Sequence, residues 1–306
     1  MEEWAPRLEK LGSSVQARLG FAYSQYKSGN YDYAIEEVQA VLRMDPKMAD
    51  GHLLLAKIYY DRGEYDRAEA FAKASLAADP KTAKAYLILA GIHSEREEYP
   101  QAVVLLEKAV ESDQNLVAAY LMLGDLLYQQ AEYSKAVNVF RSVLRINPQL
   151  SVAHRQLGKI YLKQGDQNQA LEELKSSLRL NPGDAEPHLQ LGNIHFACQE
   201  YREALDEYRA AARLDENSVT AYVKAGDTYL KLQRISDAFQ EYKKALRLNP
   251  KEANAHCGLG RAFLQSGQHR EALTEFQTAL ESDPKMKEAE SGITACQRES
   301  SRTSVT

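Results

Sequence analysis

Cysteine is scarce in this sequence, which contains only Cys198, Cys257 and Cys296 among 306 residues. An odd number of cysteines without short spacing excludes a disulfide framework and a zinc knuckle, and it favours a reducing compartment. Long apolar runs are also missing, so no segment predicts a membrane-spanning helix. The first residues lack the basic and then apolar regions of a secretory signal, from which we expect a cytoplasmic protein without direct membrane insertion.

Positive and negative charges are nearly balanced, with 38 basic and 43 acidic residues and a net charge of −5. Neither half of the chain carries the basic excess needed to follow a phosphate backbone, which argues against nucleic acid as a partner. The motifs of zinc peptidases, phosphate-binding loops and nucleophile elbows are absent as well. We therefore predict no enzymatic activity, no cofactor and no metal site.

A period of 34 residues runs from Val15 onward without an insertion or a deletion. Such self-similarity is typical of solenoids. The eight copies span residues 15–48, 49–82, 83–116, 117–150, 151–184, 185–218, 219–252 and 253–286. Repeat position 20 is alanine in every copy, and repeat position 8 is always alanine or glycine. Apolar residues recur around both positions at three- and four-residue steps, which predicts two helices per repeat that cross closely at the small residues.

The junction between copies has Asp or Asn at repeat position 31, followed by proline in six of the eight copies. A pair such as Asp45 and Pro46 predicts a capped helix start. Asp accepts hydrogen bonds from the free amides of a first turn, and proline fits the first helical position. Within a repeat, a turn containing Gly29, Gly63, Gly165 or Gly267 separates the two helices.

Together with a tyrosine at repeat position 17 in five copies, these features resemble the tetratricopeptide repeat. The resemblance covers residues 15–286. It implies an all-α fold, a right-handed superhelical solenoid of antiparallel helix pairs, in which the first helix of each pair lines a concave groove. Gln167, Ile235 and His269 replace the tyrosine, which predicts looser packing at those turns.

The ends of the array need caps, because a terminal repeat would otherwise expose an apolar face. For residues 287–298 we predict a C-terminal solvating helix, which covers the last repeat and exposes a polar face. For residues 299–306 we predict a disordered tail. Residues 1–14 carry Trp4, Leu8 and Leu11 on one helical face. We expect either a cap packed on the first repeat or a docking helix for a partner or a second copy.

The groove implied by the resemblance is apolar in this sequence. The Lys and Asn pattern of chaperone-tail clamps is absent from repeat positions 5 and 9, and the asparagine ladder of the O-linked N-acetylglucosamine transferase array is absent from position 6. The candidate partner-binding residues are instead Leu19, Tyr26, Leu53, Tyr60, Leu87, Leu121, Tyr128 and Phe196. Packing between neighbouring helices accounts for part of this ladder, and the remainder predicts a groove for an amphipathic helix or an extended segment.

Two polar patterns have alternative interpretations. Arg155, Lys159 and Lys163 form a basic stripe on the first helix of the fifth repeat, either as a solvated face or as an anchor for an acidic patch on a partner. Four histidines share repeat position 4 with tyrosines, which indicates a half-buried packing position rather than metal binding or catalysis. They are His52, His154, His188 and His256.

These features predict a scaffold or adaptor that binds a protein or peptide in the groove. The Leu-Asn-Pro junctions resemble bacterial arrays. Two alternatives stay open: a regulatory or substrate-recruiting domain of a larger enzyme, and a scaffold that forms homo-oligomers through Trp4, Leu8 and Leu11.

Overall fold

The computed structural model describes residues 15–303, with side chains up to residue 298. The predictions for Trp4, Leu8 and Leu11 lie outside the described residues, as do residues 304–306. Within the described range the chain forms seventeen α-helices and no strand. The described residues divide into two compact units on either side of the boundary between Pro148 and Gln149, called unit 1 and unit 2 below.

Each repeat contributes two helices of similar length. The helices of unit 1 are α1 (Val15–Lys27), α2 (Tyr31–Met44), α3 (Ala49–Asp61), α4 (Tyr65–Ala78), α5 (Ala83–Glu95), α6 (Tyr99–Ser112), α7 (Val117–Gln129) and α8 (Tyr133–Ile146). Those of unit 2 are α9 (Ser151–Gln164), α10 (Gln167–Leu180), α11 (Ala185–Ala197), α12 (Tyr201–Leu214), α13 (Val219–Lys231), α14 (Ile235–Leu248), α15 (Ala253–Gln265), α16 (His269–Ser282) and α17 (Lys287–Thr303).

Within each unit, every helix packs against the helix before it and the helix after it. First helices of neighbouring repeats also touch, as α3 does with α5 and α13 with α15. The second helices of the described repeats make no comparable contact with one another. The first helices therefore line the inner face of each unit and the second helices its outer face, which confirms the predicted α-solenoid of antiparallel helix pairs.

The turn inside each repeat has a left-handed residue at repeat position 15 in all eight copies. The four glycines there have φ between 74° and 82°. Glu97, Ala131, Gln199 and Gln233 occupy the same place in the other copies with φ of 60° to 63°. Only glycine adopts this conformation without a steric cost, so four of the eight turns are strained.

The junction between repeats differs from the predicted helix cap. Asp45 ends α2 in an extended conformation, and the residue that precedes α3 is Met48. Three residues thus separate the end of α2 from Met48, and Asp45 does not cap α3. Its Oδ1 instead accepts a 3.1 Å hydrogen bond from the Lys47 N–H, an Asx turn. The same bond recurs at Asp79, Asp113, Asn181, Asp215, Asn249 and Asp283.

The last helix is longer than predicted. It runs to Thr303, so residues 299–303, expected to be disordered, continue α17 because no proline or glycine there ends it. Ala289 and Cys296 of this helix are buried in one cluster with Phe276 of α16, which covers the apolar face of the last repeat. In the described range, no helix combines the length and apolarity that crossing a bilayer requires.

Candidate partner-binding groove

An open groove of about 690 Å³ lies on the inner face of unit 1. It is lined by α1, α3, α5 and the start of α7. Leu19, Leu53 and Leu87, which occupy repeat position 5 in three successive copies, form its apolar floor. All three side chains are half-buried, so each one both packs between helices and presents apolar surface to the groove. We name this surface the unit 1 groove.

Tyr60 lies in the same groove and depends on a neighbouring glycine for its place. A Cβ atom added to Gly91 would lie 2.7 Å from the Tyr60 Oη, so the missing side chain leaves room for the ring. The ring packs 5.7 Å from the ring of Tyr65. Burial raises the pKa of the Tyr60 hydroxyl, and the carboxylate of Glu95 raises it further. Tyr60 is therefore a neutral aromatic surface with a hydroxyl donor.

Charged residues of both signs surround the apolar floor. They are Asp50, Lys57, Asp61 and Lys84. Tyr26, a predicted groove residue, does not itself line the groove but contacts two of these charged residues. Its hydroxyl donates a 2.6 Å hydrogen bond to Asp61, and the Lys57 Nζ lies 5.3 Å from its ring centroid. Burial and the bond to Asp61 raise the pKa of Tyr26 well above its ordinary value. The Tyr26 side chain therefore positions charges at the edge of the groove.

Three other predicted residues lie elsewhere. Leu121 is half-buried on α7, where Ala118 and Met122 line the groove instead. The ring of Tyr128 packs 5.7 Å from Tyr133, and the ring of Phe196, in unit 2, packs 5.4 Å from Tyr201. Packing against a tyrosine of the same repeat accounts for Tyr128 and Phe196.

Sequence reasoning missed several lining residues. Leu54, Ile88 and Met122 occupy repeat position 6, where the absence of an asparagine ladder gave no sign of an apolar lining. Tyr23 occupies position 9 and is 47% exposed. The tetratricopeptide resemblance already included position 9 among the groove positions, so Tyr23 and Lys57 could have been found from it.

The inner face of unit 2 differs, because several of its charged residues pair with one another, within a repeat or across neighbouring repeats. The Arg155 Nε lies 3.4 Å from Asp184, and the Lys159 Nζ lies 3.2 Å from Glu186. Burial alone would raise the pKa of Glu186, but a hydrogen bond from Gln190 and the charge of Lys159 hold it below its ordinary value. The predicted basic stripe is thus neutralised at two of its three positions, and Lys163 is exposed.

Further along unit 2, Asp227 accepts hydrogen bonds of 2.7 Å from the Tyr242 hydroxyl and 2.6 Å from the Arg261 guanidinium. This network joins α13 to α14 and α15. Asn193 likewise accepts a 2.9 Å bond from the Tyr208 hydroxyl. Repeat position 9 of unit 2 is therefore polar and bonded within the protein.

Three of the four histidines at repeat position 4 join the two helices of a repeat through glutamates, whereas the ring of His52 stacks 6.2 Å from the ring of Phe71. The Nδ1 atoms of these three lie 2.6 Å to 2.7 Å from glutamate oxygens of the second helix. The pairs are His154 with Glu173, His188 with Glu207 and His256 with Glu275. A histidine bonded in this way stabilises helix packing, in line with the predicted half-buried position.

Comparison with known protein families decides the class of this chain. Models described as tetratricopeptide repeats match residues 19–83, 59–115, 158–197, 192–233, 226–267 and 253–286. The chain belongs to the tetratricopeptide repeat family. A model for subunit 3 of the anaphase-promoting complex, or cyclosome, also matches residues 95–177. Among curated protein sequences, none matches this tetratricopeptide repeat chain.

Solved structures share the fold at low sequence identity. One, from the APC/C hetero-tetramer Cut9–Hcn1, is 18% identical with a TM-score of 0.62, covering 87% of this chain and 52% of that one. This tetratricopeptide repeat chain thus spans about half the length of that relative. PilF of Pseudomonas aeruginosa is 23% identical with a TM-score of 0.59, covering 68% of this chain and 94% of its own.

A third structure is YrrB, described as a TPR protein with an unusual peptide-binding site. It is 24% identical with a TM-score of 0.50, covering 60% of this chain and 95% of its own. The repeats and the fold are those of protein-interaction scaffolds, a class that is typically non-enzymatic.

Proposed function

We propose that this protein is an adaptor whose unit 1 groove binds an apolar segment of a partner protein. The observation that carries this proposal is the floor of the groove, where one leucine from each of three successive repeats faces open space. Repeat position 5 is arginine in the fifth copy, at Arg155, so leucine there is not a requirement of the repeat itself.

The dimensions of the groove suit a peptide. A volume of about 690 Å³ lies within the range of about 300–1,000 Å³ that is usual for binding sites. An apolar floor supplies affinity, while a rim with Asp50, Lys57 and Lys84 supplies orientation and specificity.

Two forms of peptide fit the spacing of the leucines, and they differ in sequence pattern. Neighbouring packed helices lie about 8–10 Å apart, which sets the step from Leu19 to Leu53 and from Leu53 to Leu87. A bound helix rises about 10.5 Å in seven residues, whereas an extended segment rises about 10 Å in three. The partner is therefore expected to repeat an apolar residue every seven positions if helical and every three positions if extended.

Selection from a peptide display library tests the proposal. The complete chain is the bait, and enriched peptides are measured by fluorescence anisotropy against the wild type and against Leu53→Arg and Leu87→Arg. Arginine already occupies repeat position 5 in the fifth copy, at Arg155, so these variants use a residue that this fold accepts there. We expect each variant to lose at least about tenfold in affinity, which corresponds to about 1.4 kcal/mol.

Val104→Arg is the matched control, because Val104 is 51% exposed on α6, a second helix on the outer face. It should bind the selected peptides like the wild type. Equal binding by Leu53→Arg, Leu87→Arg and the wild type, with all melting temperatures preserved, would rule out the unit 1 groove as the binding site.

A further inference from the structure

Arginine followed by leucine ends three successive second helices of unit 2. Repeat positions 29 and 30 are occupied by Arg179 and Leu180 in α10, Arg213 and Leu214 in α12, and Arg247 and Leu248 in α14. We name these six residues the arginine–leucine ridge. One helical turn earlier, repeat position 25 adds a further cation in each of the three helices, at Lys175, Arg209 and Lys243.

The ridge is accessible. Leu180, Leu214 and Leu248 are 39%, 44% and 42% exposed, and the six cations are all exposed. Among residues 15–298, none of these cations lies within ion-pair distance of a carboxylate, and Arg179 bonds only the Ser176 hydroxyl. Glu172 and Asp206 lie three residues before Lys175 and Arg209 without pairing with them. The ridge is therefore a positively charged surface with apolar side chains.

The fold does not require these residues. The same three positions in the third repeat are Glu107, Glu111 and Ser112. The helix dipole favours cations in a last turn, which accounts for an arginine at position 29. It accounts neither for the cation one turn earlier nor for an exposed leucine in each of three neighbouring repeats.

We propose that the arginine–leucine ridge is a second docking surface, which binds an acidic segment with apolar residues from a partner protein. Six unpaired cations complement carboxylates, and electrostatic complementarity selects and steers such a partner. The leucines distinguish this partner from nucleic acid, because contacts to a phosphate backbone come from polar and charged groups. Unit 1 and unit 2 would then hold two different partners on an inner and an outer face.

The spacing of the ridge sets a minimum length for the bound segment. The second helices do not pack on one another, so each step between them exceeds the packing distance of about 10 Å. Two steps therefore exceed about 20 Å, and an extended chain needs at least about six or seven residues to cover them.

A designed peptide tests the proposal with the complete chain. The probe is a fluorescein-labelled peptide of twelve residues, in which leucine occupies every third position among glutamates. A companion peptide has serine in place of leucine. In anisotropy titrations at low ionic strength, we expect the wild type to bind the leucine peptide at least about fivefold more tightly than the serine peptide, and we expect added salt to weaken binding.

Two triple variants remove the two parts of the ridge. They are Arg179→Glu/Arg213→Glu/Arg247→Glu and Leu180→Ser/Leu214→Ser/Leu248→Ser, whose new residues already occur at these positions in the third and eighth repeats. The charge variant should lose at least about tenfold in affinity, and the leucine variant should lose its preference for the leucine peptide. Leu53→Arg, in the unit 1 groove, should bind the probe unchanged.

The matched control is Arg202→Glu/Lys231→Glu/Arg270→Glu, which changes the net charge equally at exposed positions of unit 2 outside the ridge. It should keep the wild-type affinity to within about twofold, about 0.4 kcal/mol. The proposal is overturned if this control loses as much affinity as the ridge variants, or if both ridge variants bind like the wild type. It is also overturned if single-stranded oligothymidylate or phosphatidylserine vesicles bind the ridge more tightly than the leucine peptide does.

Discussion

Gly124 of α7 lies directly against the ring of Phe140 of α8: a Cβ atom at Gly124 would be 2.6 Å from the Phe140 Cζ. The two residues occupy repeat positions 8 and 24 of one copy. Position 8 varies with its partner, since alanine there accompanies Val38, Ala72 or Leu106, and glycine accompanies Leu174 or the rings of Phe140, Tyr208, Tyr242 and Phe276. Glycine at position 8 thus makes room for a large side chain inside its own repeat.

Gly124→Ala is expected to destabilise the protein by about 1–3 kcal/mol, because the Phe140 ring is fully buried and has little room to move. This is opposite to the effect of helix propensity, which favours alanine over glycine by about 1 kcal/mol. Urea unfolding monitored by circular dichroism measures the change. Gly20→Ala is the control, since nothing lies within 4 Å of its new Cβ, and it should stabilise.

The double variant Gly124→Ala/Phe140→Leu gives the fourth repeat the combination of alanine and leucine that Ala90 and Leu106 form in the third repeat. The double variant should therefore be more stable than the sum of the two single changes predicts. Strict additivity in this double-mutant cycle would mean that the two side chains do not interact.

The repeat pattern predicted the helix pairs well, because every copy repeats the same packing problem at the same spacing. It predicted small residues at positions 8 and 20 and large apolar residues at position 24, but not that the residue at position 8 lies directly against the one at position 24. It also assigned Asp45 to the wrong role. Aspartate accepts amide hydrogen bonds both at a helix start and in an Asx turn, so residue type alone does not distinguish the two.

Ala131→Gly is expected to stabilise the protein by about 0.5–1 kcal/mol. Ala131 has a φ of 60°, and an L-residue pays about 1–2 kcal/mol in this conformation, partly offset by the greater entropy of glycine in the unfolded chain. Differential scanning calorimetry should show a higher melting temperature. The reverse change at the same repeat position, Gly165→Ala, should lower it, and a lower melting temperature for Ala131→Gly would contradict the strain argument.

Glu69→Gln should destabilise the protein in a pH-dependent manner. Hydrogen bonds from Lys73 and Arg96, at 2.6 Å and 2.7 Å, lower the pKa of the Glu69 carboxyl. A lowered pKa in the folded state stabilises the protein above the unfolded pKa of about 4.3, and this stabilisation disappears as the pH falls through the folded value. The difference in urea midpoint between wild type and variant should be largest near pH 7.

The same difference should shrink steadily below about pH 4.3. Glu36→Gln, an exposed glutamate of α2, is the control and should show little difference at either pH. A gap between Glu69→Gln and the wild type that stays constant from pH 7 to pH 3 would refute the ionic origin of this stabilisation.

The candidate groove was only partly predictable from sequence. The leucines at repeat position 5 were found because they recur in register, yet Tyr128 and Phe196 were equally regular and pack inside their repeats. Whether a half-buried side chain at such a position faces the groove or packs inside its repeat depends on the neighbouring helix. The ion pair of Arg155 is with Asp184, which immediately precedes α11, so the four-residue spacing on α9 gave no sign of it.

Gly91→Ala separates binding from stability, because its new Cβ would meet the Tyr60 Oη at 2.7 Å, the outer end of a flexible side chain on an open groove. The Tyr60 ring can rotate away, unlike the buried ring of Phe140, so the melting temperature should stay the same or rise with helix propensity. The rotated ring would alter the floor of the unit 1 groove, and we expect about tenfold weaker binding of peptides selected on the wild type. Anisotropy and thermal unfolding on the same sample decide this. A fall in melting temperature like that of Gly124→Ala would show that Tyr60 is packed rigidly, and unchanged affinity would show that Tyr60 does not contact the bound peptide.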